Sequence, residues 1–155
     1  MLLVGVLAAS FLALQPRDAL AAALVEHMAE EPGSWTQRQP VPQSALDLVL
    51  RRSGVRLDRV AAGEVVYANS CFLRGRYVPH LVVTTPRGPV TVLVLRGEAV
   101  KRRVPFDEAG YRGVLLPVPG GGGGIAVLAR SGAGGAPDVE ATAAQVQQAI
   151  AWEEK

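Results

Sequence analysis

Soft-ligand chemistry in this chain rests on one cysteine and two histidines: Cys71, His80 and His27. The stretch from Cys71 to His80 has the character of two strands around a turn, with Arg74-Gly75-Arg76 between them. If Gly75-Arg76 forms a two-residue loop with glycine first, Cys71 faces His80 across a hairpin at a non-hydrogen-bonded pair, with Cβ atoms about 4.5–5.5 Å apart. An imidazole that close can stabilise a thiolate, or the two groups can share a soft metal such as copper(I) or zinc(II). His27, on the apolar side of a helix, is a candidate third ligand. The plainer reading makes Cys71 a small buried hydrophobe and His27 a satisfied core residue. The register has one cost: Pro79 falls opposite Phe72 at a hydrogen-bonded position, where it has no N–H to give. The pair must then lie at an edge, or the loop must be looser.

Other chemistry finds little support. The glycines Gly120–Gly124 are followed by Ile125-Ala126-Val127-Leu128, a strand, whereas a phosphate loop needs Lys then Ser or Thr opening a helix. Ser34, Ser44, Ser53, Ser70 and Ser131 lack a nucleophile-elbow setting, and the acidic residues are scattered. The expectation is a non-enzymatic protein. An enzyme of unrecognised type is the weaker alternative, since carboxylates paired in space are invisible in sequence.

Several elements must position these groups. Arg17–Glu30 reads as a helix with Leu20, Ala23, Leu24, His27 and Met28 on one face and Glu26, Glu30 and Glu31 mostly off it, ended by Pro32-Gly33. A second helix starts near Pro42, carries Leu46, Val49 and Leu50, and ends at Gly54. From Val55 the period becomes two. Strands are expected over Val55–Val60, Glu64–Leu73, Pro79–Thr85, Pro89–Leu95, Ala99–Pro105, Tyr111–Val118 and Ile125–Ala129. A last helix runs from Asp138 to Trp152. The predicted fold class is α+β, an antiparallel meander of about six strands with helices on one face.

Composition bounds the function. The chain has 155 residues, 49% of them apolar but only 5% aromatic, so Val, Leu and Ala must build the core. Its 16 basic and 14 acidic residues leave a net charge of +2 without a basic cluster, which argues against nucleic acid as a partner. One cysteine permits no internal disulfide.

Met1–Leu14 carries no charge. It is shorter than the roughly 20 residues of a spanning helix. It also lacks the basic flank and cleavage site of a signal peptide. Two readings compete, a buried helix of a soluble protein and a truncated membrane helix. The second is preferred, giving an apolar anchor over 1–16 and a domain over 17–155.

Taken in order, the segments resemble an uncharacterised family of proteobacterial membrane proteins usually read as anti-sigma-factor-like. The resemblance is carried by His27-Met28-Ala29-Glu30-Glu31-Pro32, Val41-Pro42, Gly54-Val55, Cys71-x-Leu73-Arg74-Gly75 and His80-Leu81-Val82-Val83. It continues through Gly88-Pro89-Val90-Thr91-Val92-Leu93, Arg102-Arg103-x-x-Phe106, Gly113 to Pro117, and Gly124-Ile125-Ala126-Val127, covering most of Ala19–Arg130. It implies a single-pass inner-membrane protein with its α+β domain in the periplasm. It also implies a cytoplasmic N-terminal segment that engages a sigma factor. This sequence begins inside the apolar run, so a sigma factor is a partner only where an N-terminal extension exists.

The function expected from these readings is a membrane-anchored periplasmic sensory or regulatory domain. It would respond to redox state or a soft metal through Cys71 and His80, with a periplasmic protein or small ligand as possible partner class. A protein-interaction module with Cys71 as core packing is the alternative. The sequence names no cofactor.

Overall fold

The computed structural model describes residues 16–58, 63–132 and 138–153. Helix α1 spans Pro16–Glu30, and a short 3₁₀ turn follows at Pro32–Thr36. Helix α2 is Gln43–Arg52, and α3 is Val139–Ala149. Eight strands complete the described residues: β1 Val55–Leu57, β2 Val65–Leu73, β3 Arg76–Thr85, β4 Gly88–Arg96, β5 Val104–Glu108, β6 Tyr111–Pro117, β7 Gly123–Arg130 and β8 Ile150–Trp152.

Six strands form one antiparallel sheet in the order β2-β3-β4-β7-β6-β5. The α+β class and the six-stranded sheet match the sequence expectation, but the single meander does not. Two three-stranded meanders, β2–β3–β4 and β5–β6–β7, join where β4 pairs β7. The strand expected over Ala99–Pro105 begins only at Val104, and residues 97–103 carry the chain to the far edge of the sheet. The expected last helix also ends early. Ile150–Trp152 leaves it to pair with Val55–Leu57 as a separate two-stranded ribbon, a tertiary pairing that overrides the local helical pattern.

The helices cover both faces of the sheet, which corrects the one-sided packing expected. On one face Leu46 and Leu50 of α2, with Val139, Ala143 and Val146 of α3, pack on Leu81, Val92, Val94, Ile125 and Val127. On the other, Leu20, Leu24, Val25 and Met28 of α1 pack with Trp35 on Leu93, Leu95, Leu115 and Leu128. Two-sided cover explains why β4 reads Val90-Thr91-Val92-Leu93-Val94-Leu95, buried throughout with no alternation of polarity. Each such Leu or Val contributes about 1.5–3 kcal/mol by leaving water.

The membrane helix expected ahead of the domain finds no counterpart among the described residues. Residues 1–15 lie outside the described residues, and Pro16 opens α1. Among the described residues no helix is long and apolar enough to cross a membrane.

Candidate metal centre

The β2–β3 hairpin closes through Arg74-Gly75, not Gly75-Arg76. Leu73 pairs with Arg76, and both turn residues have positive φ, 49° at Arg74 and 81° at Gly75. That is the geometry of a two-residue hairpin turn whose twist matches its strands. Cys71 therefore pairs with Val78, and His80 with Asn69. The slip from the expected register is two residues on β3, and an even slip keeps every side chain on its face. Cys71 and His80 thus remain neighbours, as a diagonal pair with Sγ 3.7 Å from Nδ1. The shift also resolves the proline conflict. Pro79 now faces Ser70, a non-hydrogen-bonded position next to the Cys71–Val78 pair, and the β3–β4 ladder starts one residue later at His80.

Helix α1 brings the remaining groups. His27 is one turn before its end, and Pro32 stops it, since a proline disfavours helical backbone at the residue before it. Glu31 accordingly leaves the helix at φ −119°, ψ 55°. Its carbonyl is held by the Ser34 N–H at 3.1 Å and the Ser34 hydroxyl at 2.8 Å. Its carboxylate turns onto the sheet. The Cys71 thiol donates to Oε1 at 3.2 Å, His80 Nδ1 lies 3.0 Å from Oε2, and the Tyr67 hydroxyl donates to Oε2 at 3.1 Å. His27 Nε2 stands 3.9 Å from Oε2. One ligand atom from each of His27, Glu31, Cys71 and His80 falls within 4.8 Å of the others. All three residues expected from the sequence, Cys71, His80 and His27, meet at this point, and Glu31 joins them.

Glu31 and Tyr67 are the members that sequence reasoning missed. The i, i+4 spacing of His27 and Glu31 was the available signal, because it sets both on one side of a helix. Tyr67 left none: a bulge between Val65 and Tyr67 fixes its facing, and a bulge has no pattern in this sequence.

A family description, Protein of unknown function (DUF3379), matches residues 1–150. The chain belongs to this family. No curated protein and no solved structure matches the chain.

The site of this DUF3379 domain is enclosed. His80 is fully buried, Cys71 is 4% exposed and His27 6%, while Glu31 is partly open. Burial alone would raise the Glu31 carboxyl, but the Cys71 thiol, then His80, Tyr67 and His27, together hold it below its ordinary value. Glu31 is therefore the charged member. Burial, reinforced by the hydrogen bond to Glu31 and its charge, pushes the Cys71 thiol up to about 12. Burial pushes the His80 imidazole down to about 4, against the pull of Glu31. At neutral pH the His80–Glu31 contact is a hydrogen bond to a neutral ring, not an ion pair. An ionised carboxylate only accepts, so His80 carries its proton on Nδ1.

Two buried ring nitrogens, His27 Nε2 and His80 Nε2, have no hydrogen-bond partner. Burying such a group unpaired costs about 1–3 kcal/mol. The His27 nitrogen is aimed at the carboxylate across a gap too long for a hydrogen bond. A cation between them would satisfy both.

Proposed function

We propose that this domain is a non-catalytic sensory or regulatory module whose signal is a metal ion held by Cys71 and His80, with His27 completing the set. The observation that carries it is the convergence of a thiol and two imidazoles between a helix end and a hairpin, with the unpartnered buried Nε2 of His27 3.9 Å from the Glu31 carboxylate. Redox sensing is the weaker half of the expectation. Reactive cysteines are exposed and easily ionised, and Cys71 is neither. A metal ion has no such need, because it displaces the thiol proton as it binds.

The route from signal to output is local. A bound ion ties the end of α1 to β2 and β3, and a packing change there moves the helix. Titration of the purified chain with zinc(II) and copper(I) tests this, with Cys71→Ala and His80→Ala as variants. Binding that is tight in the parent and lost in both variants is expected; unchanged binding in Cys71→Ala removes the thiol from the site.

The anti-sigma-factor-like reading belongs to the same proposal, as does attachment at the inner membrane with the domain in the periplasm. Their support is the family resemblance and the uncharged run Met1–Leu14. Membrane fractionation of the tagged gene product tests the location, and recovery in the soluble cytosolic fraction would end it.

One observation favours a second reading, a protein-interaction module. Phe72 and Tyr77 are 63% and 65% exposed and stack edge-on at 5.3 Å on the outermost hairpin of the sheet. Exposed aromatic pairs of this kind serve as contact anchors. If replacing both with serine left every partner interaction of the gene product intact, this reading would fail.

A further inference from the structure

The geometry points to a closed four-ligand zinc(II) site made by His27, Glu31, Cys71 and His80, with the Glu31 carboxylate as the fourth ligand and Tyr67 orienting it. This rests on the metal-sensing reading above and deepens it by naming the ion and the completing residue.

The distances support four-coordination. Tetrahedral zinc with bonds of about 2.0–2.3 Å sets its ligand atoms about 3.3–3.8 Å apart. Taking Glu31 Oε2 as the ligand atom, thiol to carboxylate is 3.4 Å, thiol to the His80 imidazole 3.7 Å, the His80 imidazole to carboxylate 3.0 Å, and the His27 imidazole to carboxylate 3.9 Å. These four separations lie within about half an ångström of the tetrahedral range, and all four donor atoms fall within 4.8 Å of one another.

Charge selects among ions. A thiolate and a carboxylate supply two negative charges in an enclosed site, and a divalent ion cancels them, whereas copper(I) would leave one buried and unbalanced. A carboxylate is also a hard ligand that copper(I) does not favour, while zinc accepts nitrogen, sulfur and oxygen together. Four protein ligands fill the shell and leave no open position for substrate, as in structural zinc sites. The binding step balances simply: the Cys71 S–H bond breaks, an S–Zn bond forms, and the proton passes to solvent. The His80 ring proton moves from Nδ1 to Nε2, which frees Nδ1 for the ion.

Orientation of the carboxylate is built in. Tyr67 donates to Glu31 Oε2 and itself accepts from Asn69 Nδ2 at 3.3 Å. Hydrogen bonds of this outer kind fix a ligating carboxylate and typically matter 10–100-fold in affinity.

The test is zinc(II) titration of the full chain against a chromophoric chelator, with cobalt(II) as a spectroscopic substitute. Expected are one zinc per chain, an intense tetrahedral cobalt(II) spectrum with a thiolate charge-transfer band, and zinc affinity about 100-fold weaker in Glu31→Gln. Glu31→Asp should recover part of that loss, and the metal-free circular dichroism of both variants controls for folding. The parent's cobalt(II) spectrum needs no variant, so a weak octahedral spectrum lacking the thiolate band would overturn the site outright. Unchanged zinc affinity in a folded Glu31→Gln would remove the fourth ligand. Tight copper(I) binding without zinc binding would sink the zinc assignment while sparing the metal-sensing reading. Binding of neither ion would end both.

Discussion

The Cys71 thiol donates to the Glu31 carboxylate across 3.2 Å, joining residues forty apart in sequence and two elements, the end of α1 and strand β2. In the zinc site proposed above, an ion would take the place of that contact. The contact satisfies a buried thiol and a partly buried charge with each other, and it holds α1 on the sheet in the position an ion would require. Both α1 and the hairpin are therefore preorganised, which lowers the ordering cost of binding.

A protected thiol is the first consequence. With Cys71 raised from its ordinary 9.0 to about 12, its thiolate at neutral pH is about a thousandfold scarcer than in the unfolded chain. Labelling of the metal-free native protein with a maleimide at pH 7 should be slower than in denaturant by at least two orders of magnitude. Equal rates would show that the site opens freely.

Proton release is the second. At neutral pH Glu31 is already ionised and His80 already neutral, so zinc displaces one proton, from Cys71. Log affinity should then rise with pH at a slope near +1 between about pH 7 and pH 8, above the ordinary histidine range, since one thiol proton leaves per ion. Calorimetry in buffers of different ionisation enthalpy should count about one proton per ion. A flat profile would mean that the thiolate is not a ligand.

Acid sensitivity of the metal-free fold follows from His80. Its folded value is lowered from 6.5 to about 4. Between these the unfolded state binds the extra proton, so stability rises with pH across the window and is lost as pH falls through it. The Glu31 carboxyl, also held low, acts in the same sense below 4.5. The two sides of the His80 window should differ by about 3 kcal/mol at most in urea unfolding, the ceiling that a shift of this size sets. His80→Gln should flatten the slope between pH 6.5 and 4; a wild-type slope in that variant would trace the effect to another group.

The packing of α1 makes a fourth prediction. Leu24 is fully buried against the sheet, one turn before His27. Leu24→Ala should cost about 2–5 kcal/mol through lost contacts and an unfilled cavity. Zinc at a hundredfold excess over its dissociation constant should return about 2.7 kcal/mol, because it binds only the folded form. Thermal melts with and without zinc measure both effects. A melting temperature indifferent to zinc in parent and variant alike would count against coupling between the site and α1.

The β2–β3 hairpin shows how far sequence reasoning reached. Arg74-Gly75-Arg76 marked the turn, and alternation placed Cys71 and His80 on one face, but taking Gly75-Arg76 as the loop left Pro79 needing an edge pair or a looser turn. The true turn puts Arg74, not a glycine, at the first left-handed position, a choice that propensity disfavours and the flanking pairings enforce. Because the resulting slip was even, the right neighbours emerged from the wrong register. Residues 97–103 were less forgiving. Strands expected over Pro89–Leu95 and Ala99–Pro105 leave a short hairpin turn around Gly97, yet the Gly97 N–H donates to the Gly122 carbonyl, because β4 finds its next partner in β7.

What the sequence determined by itself was local. It set the α+β class, the ends of α1 and α2 at Pro32 and Gly54, the run of strands, and three of the four clustered side chains, since periodicity and turn chemistry act over a few residues. The tertiary structure decided which strands lie side by side, that both faces of the sheet are covered, and that Glu31 reaches Cys71. Those outcomes depend on contacts between residues far apart in the chain, whose free energy is realised only when the whole sheet and its three helices close around a shared interior.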